Sequence, residues 1–351
     1  MIYWNSATEG NEGKLVHHLR ALVALAACSL AAAPAGAGDI LSRSKAEGCR
    51  SLVPASAGGP LPPRGVMAIR WLGTTNFEIA YRGQVVLLDT YYDRGPRNRP
   101  IGVTPADIHR ANLILLGHAH FDHMSDVQPI AANTGAPVMG AQTATGTALG
   151  LGVPADQLIT VTGTGGEVFT FPRFTVEPIL ARHSTLDPAI LDAFTTAIPV
   201  AIGEPTAEEL AAEQAIQARG TFAPEVVTQG TIAYLITLDT GFRLIYRNSA
   251  GPITTYEQDA LARIGGRTDV AIVAYTGQYD ADRQVSVTLP IVELYQPRLM
   301  LPAHHDEIAG LFLDIGTEPL FLAIRDALPA TRTLSPLYRQ PVCVDARRGK
   351  P

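Results

Sequence analysis

The sequence predicts an α+β fold in which two sheets stack face to face with helices outside. One set of short strand-like runs lies between Met67 and Met139 and a second between Val168 and Leu301, each interleaved with helical segments. The 32 Gly and 26 Pro supply the turns that many short strands require. With 46% hydrophobic and 17% charged residues among 351, the chain can bury a sizeable core.

The elements follow in order. Lys14 and Arg20 precede an apolar stretch, Ala21 to Ala37, that ends in Ala35-Gly36-Ala37. Residues 1–37 therefore read as a secretory signal peptide, which places the protein in the periplasm or outside the cell. Two other readings exist: a membrane anchor, and a lipoprotein attached at Cys28 through Leu25-Ala26-Ala27-Cys28. The mature form then carries no stable membrane span. Residues 38–65 form a Ser/Ala/Gly/Pro-rich arm without periodicity, either wrapped on the surface or mobile.

The main domain is expected over 66–340. Met67–Trp71, Asn76–Tyr81 and Gln84–Asp89 read as consecutive strands, with Arg82-Gly83 as a turn. Ala111–Gly117 is a continuous apolar run of the buried-strand kind, and Ala136–Met139 is another. Val168–Phe171 with Phe174–Ala181, and Thr231–Leu238 with Phe242–Arg247, read as hairpins. Val270–Tyr275 and Leu299–Leu301 complete the second set. Helices are expected over Thr104–His109, after Asp122, and over Ala141–Leu149, Thr255–Ile264 and Pro319–Ala327.

Residues 184–229 interrupt the strand pattern as a helical insertion. Leu186, Ile190, Leu191, Phe194 and Ile198 fall at helical spacing. A second helix starts at Thr206, where Thr206 and Glu209 make a capping box, and stops at Gly220. Because the insertion leaves directly from His183, it reads either as a wall of the site contacting an apolar substrate, or as a homodimer contact or simple packing. Residues 341–351 read as a C-terminal tail. Once the leader is removed, Cys49 and Cys343 remain, an even count that permits one disulfide.

Net charge is −6, with no long basic run, which disfavours nucleic-acid partners and leaves a small molecule as the expected one. The strongest chemical signal is Gly117-His118-Ala119-His120-Phe121-Asp122-His123. Four potential ligands, His118, His120, Asp122 and His123, lie within six positions directly after a buried strand. Imidazole nitrogen and carboxylate oxygen are the donors that zinc prefers.

That run resembles the HxHxDH signature of the metallo-β-lactamase superfamily, with agreement in order and spacing from about Met67 to Ile308. The resemblance implies an αββα sandwich with two zinc ions at one edge. It implies one ion at His118, His120 and His183, and the other at Asp122, His123 and His304. His305 is left as either the ligand in place of His304 or a substrate-facing proton carrier. Asp122 would relay the proton of the attacking water, and Asp89 would orient a histidine from behind. Many relatives carry a bridging Asp where this chain has Asn248, so the second ion is expected to bind weakly.

Ile69-Arg70-Trp71-Leu72-Gly73 and Ala181-Arg182-His183-Ser184 resemble the branch of ascorbate-6-phosphate lactonases and N-acyl phosphatidylethanolamine phospholipases. The leading expectation is hydrolysis of a lactone, ester or amide by a metal-bound hydroxide. The alternatives are a phosphodiesterase, for which Arg182 and Arg247 are the available cations, and a non-catalytic metal-binding protein. No G-x-S-x-G elbow occurs, since Arg247 stands two positions before Ser249.

Overall fold

Side-chain alternation explains the first strand. Met67, Ile69 and Trp71 point into the layer between the sheets, whereas Val66 and Ala68 point to the outer layer. The strand is buried on both faces and so shows no polar alternation in sequence. The computed structural model describes residues 39–185, 203–275, 281–306 and 316–347. The leader 1–37 and the apolar positions Leu186, Ile190, Leu191, Phe194 and Ile198 lie outside the described residues.

In chain order the elements are β1 (Val66–Trp71), β2 (Phe77–Tyr81), β3 (Gln84–Leu88), β4 (Leu113–Leu115), α1 (Phe121–Met124), α2 (Val127–Thr134), β5 (Val138–Gly140), α3 (Gln142–Gly150) and β6 (Leu158–Thr160). Then come β7 (Phe169–Phe171), β8 (Phe174–Leu180), α4 (Ala207–Gln217), α5 (Pro224–Thr228), β9 (Ile232–Leu238), β10 (Arg243–Arg247), α6 (Thr255–Arg263) and β11 (Val270–Ala274). The last are α7 (Ala281–Tyr295), β12 (Leu299–Ala303), α8 (Glu318–Ala327), β13 (Arg332–Thr333) and β14 (Pro341–Asp345). The first sheet runs β14-β1-β2-β3-β4-β5-β6 and the second β13-β12-β11-β10-β9-β8-β7. In each, one half is parallel, β3 to β6 and β10 to β13, and the other half antiparallel.

Three apolar layers give an αββα sandwich. Phe77, Leu88 and Leu115 meet Val176, Tyr234, Ile272 and Leu301 between the sheets. Outside the first sheet, Ile114 and Leu116 pack with Met124, Val127 and Ile130 of α1 and α2. Outside the second, Ala271 and Val273 pack with Leu261, Ile291, Tyr295 and Ile324 of α6, α7 and α8. No helix among the described residues is long and apolar enough to cross a membrane.

The N-terminal arm is held rather than loose. Arg70 and Glu78, cross-strand partners on β1 and β2, form a wholly buried ion pair at 3.0 Å. The Glu78 carboxylate also accepts the backbone N–H groups of Ala55 at 2.9 Å and Ser56 at 2.6 Å, while Arg70 donates to the Gly48 carbonyl at 2.9 Å. Removing one member would strand a buried charge, which typically costs about 3–5 kcal/mol. Cys49 and Cys343 form a disulfide with their Cα atoms 5.8 Å apart, tying the arm to β14.

Several elements differ from expectation. Residues 341–345 are not a tail but the strand β14, paired antiparallel along β1 from Val66↔Asp345 to Arg70↔Pro341. The expected helix over Thr104–His109 is a single 3₁₀ turn, Pro105–Asp107, because Ile108 turns to an extended backbone and drops its side chain into the core. The short strands β6 and β13 and the helices α5 and α7 were not foreseen. In the insertion, α4 begins as expected: Thr206 Oγ1 accepts the Glu209 N–H at 3.2 Å and the Glu209 carboxylate accepts the Thr206 N–H at 2.8 Å.

Candidate metal centre

Five strands end at one place. Asp89 follows β3, His118 follows β4, His183 follows β8, Asn248 follows β10 and His304 follows β12. β8 runs parallel in direction to β10, since both pair antiparallel with β9. These residues therefore leave C-terminal strand ends, the edge where open α/β sheets place their sites. His120 is the residue before α1, and Asp122 and His123 sit in its single turn. A rigid strand end followed at once by a helix turn is what lets four close residues aim at two points.

Two groups of donors result. His118, His120 and His183 have ligand atoms all within 4.8 Å of one another, and so do Asp122, His123 and His304. In the first group His118 Nε2 faces His120 Nδ1 at 3.2 Å, and the His183 ring lies 4.6 Å from each of the other two rings. His183 Nδ1 is engaged by the Ser184 carbonyl at 2.5 Å, which leaves Nε2 for the group. In the second, Asp122 Oδ2 lies 3.0 Å from His123 Nε2 and 3.2 Å from His304 Nε2. The His118 and His123 rings are 3.8 Å apart, so the two groups are neighbours.

The donor set fits divalent cations. Burial lowers the proton affinity of His118 well below the ordinary value and that of His120 and His183 to about 4, so these imidazoles are neutral at pH 7 with lone pairs to give. Burial pulls His123 down as well, but the carboxylates of Asp122 and Asp89 outweigh it and push His123 up to about 10. Burial opposes ionisation of Asp122, yet His123 and His304 hold its carboxyl well below the usual range. The second group thus attracts positive charge strongly, as a cation site requires.

Asp89 is the hub behind this group. Its Oδ2 lies 2.7 Å from His123 Nδ1 and accepts from Thr75 Oγ1 at 2.6 Å, Tyr246 Oη at 2.6 Å and Asn248 Nδ2 at 2.9 Å. Its Oδ1 accepts the Gly117 N–H at 2.7 Å. This fixes His123 with Nε2 toward Asp122. Asn248 Nδ2 is also 3.1 Å from His123 Nδ1, on the side away from Asp122. Gly117 is required there, because a Cβ on it would stand 1.9 Å from Asn248 Nδ2. Thr75 and Tyr246 escaped sequence reading, since a buried strand Tyr and a loop Thr carry no signal of their own.

The structure puts His304, not His305, in the second group. His305 stacks on Trp71, with ring centroids 4.5 Å apart and 13° between planes, and its Nε2 lies 3.4 Å from Ser335 Oγ. It is therefore a stacking partner of Trp71 and not a member of either donor group. The backbone explains the choice: His304 has φ +62° and Thr74 φ +49°, and the His304 N–H donates to the Thr74 carbonyl at 2.8 Å. Asp306 holds this strained turn by accepting from Thr74 N and Arg94 Nη1, each at 2.8 Å, and from Tyr338.

The nearby cations are engaged. Arg182 donates to the Thr228 carbonyl at 2.5 Å, and buried Arg247 pairs with Glu257 at 2.8 Å. Arg247 is thus not the free guanidinium expected for a phosphate, whereas Arg182 is exposed and has no carboxylate partner among the described residues. Ser249 Oγ accepts the Ser184 N–H at 2.9 Å. The insertion returns onto the motif: the Thr221 N–H donates to the Ala119 carbonyl at 2.8 Å, and the Phe222 ring lies 4.9 Å from the His120 ring.

No family model matches the chain. It is similar to a UPF0173 metal-dependent hydrolase of Cupriavidus necator, 24% identical over 294 residues that span 81% of this chain and 89% of the relative. A UPF0173 metal-dependent hydrolase of Ruegeria pomeroyi is 33% identical over 119 residues, 34% of this chain and 50% of that protein. Among solved structures, a metallo hydrolase from the archaeon Ignicoccus hospitalis superposes with a TM-score of 0.53 at 15% identity, covering 79% of this chain and 98% of the other. At that identity the likeness is one of fold.

Proposed function

We propose that the chain, similar to metal-dependent hydrolases and built on a metallo-β-lactamase-like αββα sandwich, is an exported zinc hydrolase that cleaves a lactone, ester or amide bond. The observation that carries the reading is the convergence of five imidazoles and one carboxylate into two adjoining groups. Nitrogen-rich sets with a single carboxylate suit zinc better than magnesium or calcium, which take oxygen ligands. Ions held by His118, His120 and His183 and by Asp122, His123 and His304 would supply Lewis acidity, bringing the pKa of water to about 7.

The chain's own residues do the rest. Asp122, the one carboxylate among the donors, would orient the attacking water from the second group. Asp89 fixes the orientation of His123, while the partly exposed His120, His183 and His304 leave the donor groups open to solvent. The pairing of Arg247 with Glu257 and of Arg94 with Asp306 leaves only Arg182 of these three cations without a carboxylate partner among the described residues, which favours a neutral substrate over a phosphodiester. Export is supported by the Cys49–Cys343 disulfide, a bond that persists in oxidising compartments.

The test is a panel of acyl-homoserine lactones, p-nitrophenyl esters, nitrocefin and bis-p-nitrophenyl phosphate, assayed with and without chelator and with zinc restored. Chelator-sensitive turnover of a lactone, ester or amide is expected. Selective turnover of the phosphodiester would replace this reading with the phosphodiesterase one.

A further inference from the structure

Phe222 stands 64% exposed beside a site whose other aromatic groups are mostly covered. A single exposed aromatic residue is ordinary on a protein surface. Two observations set this one apart. Its ring lies 4.9 Å from the ring of His120 and 6.0 Å from that of Phe121, which Tyr91 in turn meets edge-on at 5.8 Å. The shelf so formed borders a member of the first donor group.

Second, the backbone that carries Phe222 is fastened to the motif itself. The Thr221 N–H donates to Ala119 O at 2.8 Å, and Gly220 lies so close to Phe121 N that a Cβ would stand 2.3 Å from it. Arg219 reaches Asp126 at 3.1 Å and Asp93 at 3.3 Å, and the Ala223 N–H donates to Thr221 Oγ1 at 3.3 Å. Arg219, Gly220 and Thr221 are thus fastened to the motif and its neighbours, while most of the Phe222 ring stays open. A large apolar side chain held in fixed register, with its face left open to solvent, gains its burial energy from whatever enters the site.

Resting on the hydrolytic reading of this centre, we propose that Phe222 is a specificity-determining residue whose ring packs against the apolar part of the substrate, an acyl chain or a flat ring. It touches no bond that is broken; it selects which molecules are held long enough to react.

The test avoids the unidentified substrate. Straight-chain hydroxamates, from acetohydroxamate to octanohydroxamate, are titrated calorimetrically into the zinc-loaded full chain, in wild type, Phe222→Ala and Phe222→Leu. Wild-type affinity is expected to rise about two- to fourfold per added methylene while the ring covers it. Phe222→Ala flattens that rise, with acetohydroxamate affinity and zinc content unchanged, and Phe222→Leu keeps most of it. An equal rise in wild type and Phe222→Ala, or an equal loss for every chain length, overturns the proposal. If no hydroxamate binds zinc-loaded wild type, the hydrolytic reading itself fails and takes this inference with it.

Discussion

Asn248 donates from Nδ2 to Oδ2 of Asp89 across 2.9 Å. The amide therefore has a structural partner, and a carboxylate in its place would face another carboxylate. Asn248→Asp, the change that restores the bridging residue of many relatives, is expected to destabilise the metal-free protein by about 1–3 kcal/mol through a lost donor and like-charge contact. Because Asn248 stands behind His123 and not beside Asp122, bound metal should not rise above wild type, contrary to the expectation from sequence. Thermal melts and metal analysis check this, and a variant that holds more zinc at unchanged melting temperature would contradict it.

His183 and His304 belong to different donor groups, although both stand at strand ends. His183→Ala and His304→Ala should each lower the metal bound by their own donor group, and each should cut turnover by about 100-fold. His305→Ala should leave zinc content unchanged, because its ring stacks on Trp71 rather than facing the donors. Metal analysis of the three variants after gel filtration separates these outcomes.

Asp126 is fully buried, and burial lifts its pKa from the ordinary 3.8 to about 6. Below about pH 4 both folded and unfolded chains carry this proton, and the residue costs nothing. As pH rises from 4 to 6 the unfolded chain ionises first, so stability declines, by about 3 kcal/mol in total from this group. Asp126→Asn lacks that decline. The difference in unfolding free energy between variant and wild type should therefore shift in the variant's favour between pH 4 and pH 7. Parallel curves over that range would show that Asp126 ionises normally.

The Cys49–Cys343 bond spans a sequence separation of 294. In the loop-closure picture a cross-link over so long a stretch stabilises by about 5 kcal/mol. Cys49→Ser is expected to lower stability by a comparable amount with zinc binding retained, since both cysteines lie away from the donors. In the unreduced, denatured chain neither Cys49 nor Cys343 should react as a thiol. Two titratable thiols would contradict the pairing.

The ligand loop was legible because four donors crowd into His118–His123, directly after an apolar strand. His183 and His304 were visible only beside that loop, each being a lone histidine after a strand. The choice between His304 and His305 was not legible, because it depends on a left-handed backbone at His304 and on the stacking of Trp71. Likewise α7 was hidden by Pro290 and by the β-branched Val285, Val287, Thr288, Ile291 and Val292, which local propensity reads against a helix. The strand β14 opens on a proline, and it pairs with β1 by a contact too distant in sequence for any local pattern to show.

That last strand carries a consequence for biosynthesis. β14 emerges from the ribosome after all thirteen others, yet its place is against the first of them. Until it arrives, one long side of the earliest sheet stays unpaired, with a free row of amide and carbonyl groups that any extended peptide can join. A folding intermediate in which β1 has not yet gained β14 must therefore be shielded along that edge, and removing Pro341–Asp345 would leave that hazard permanently in place.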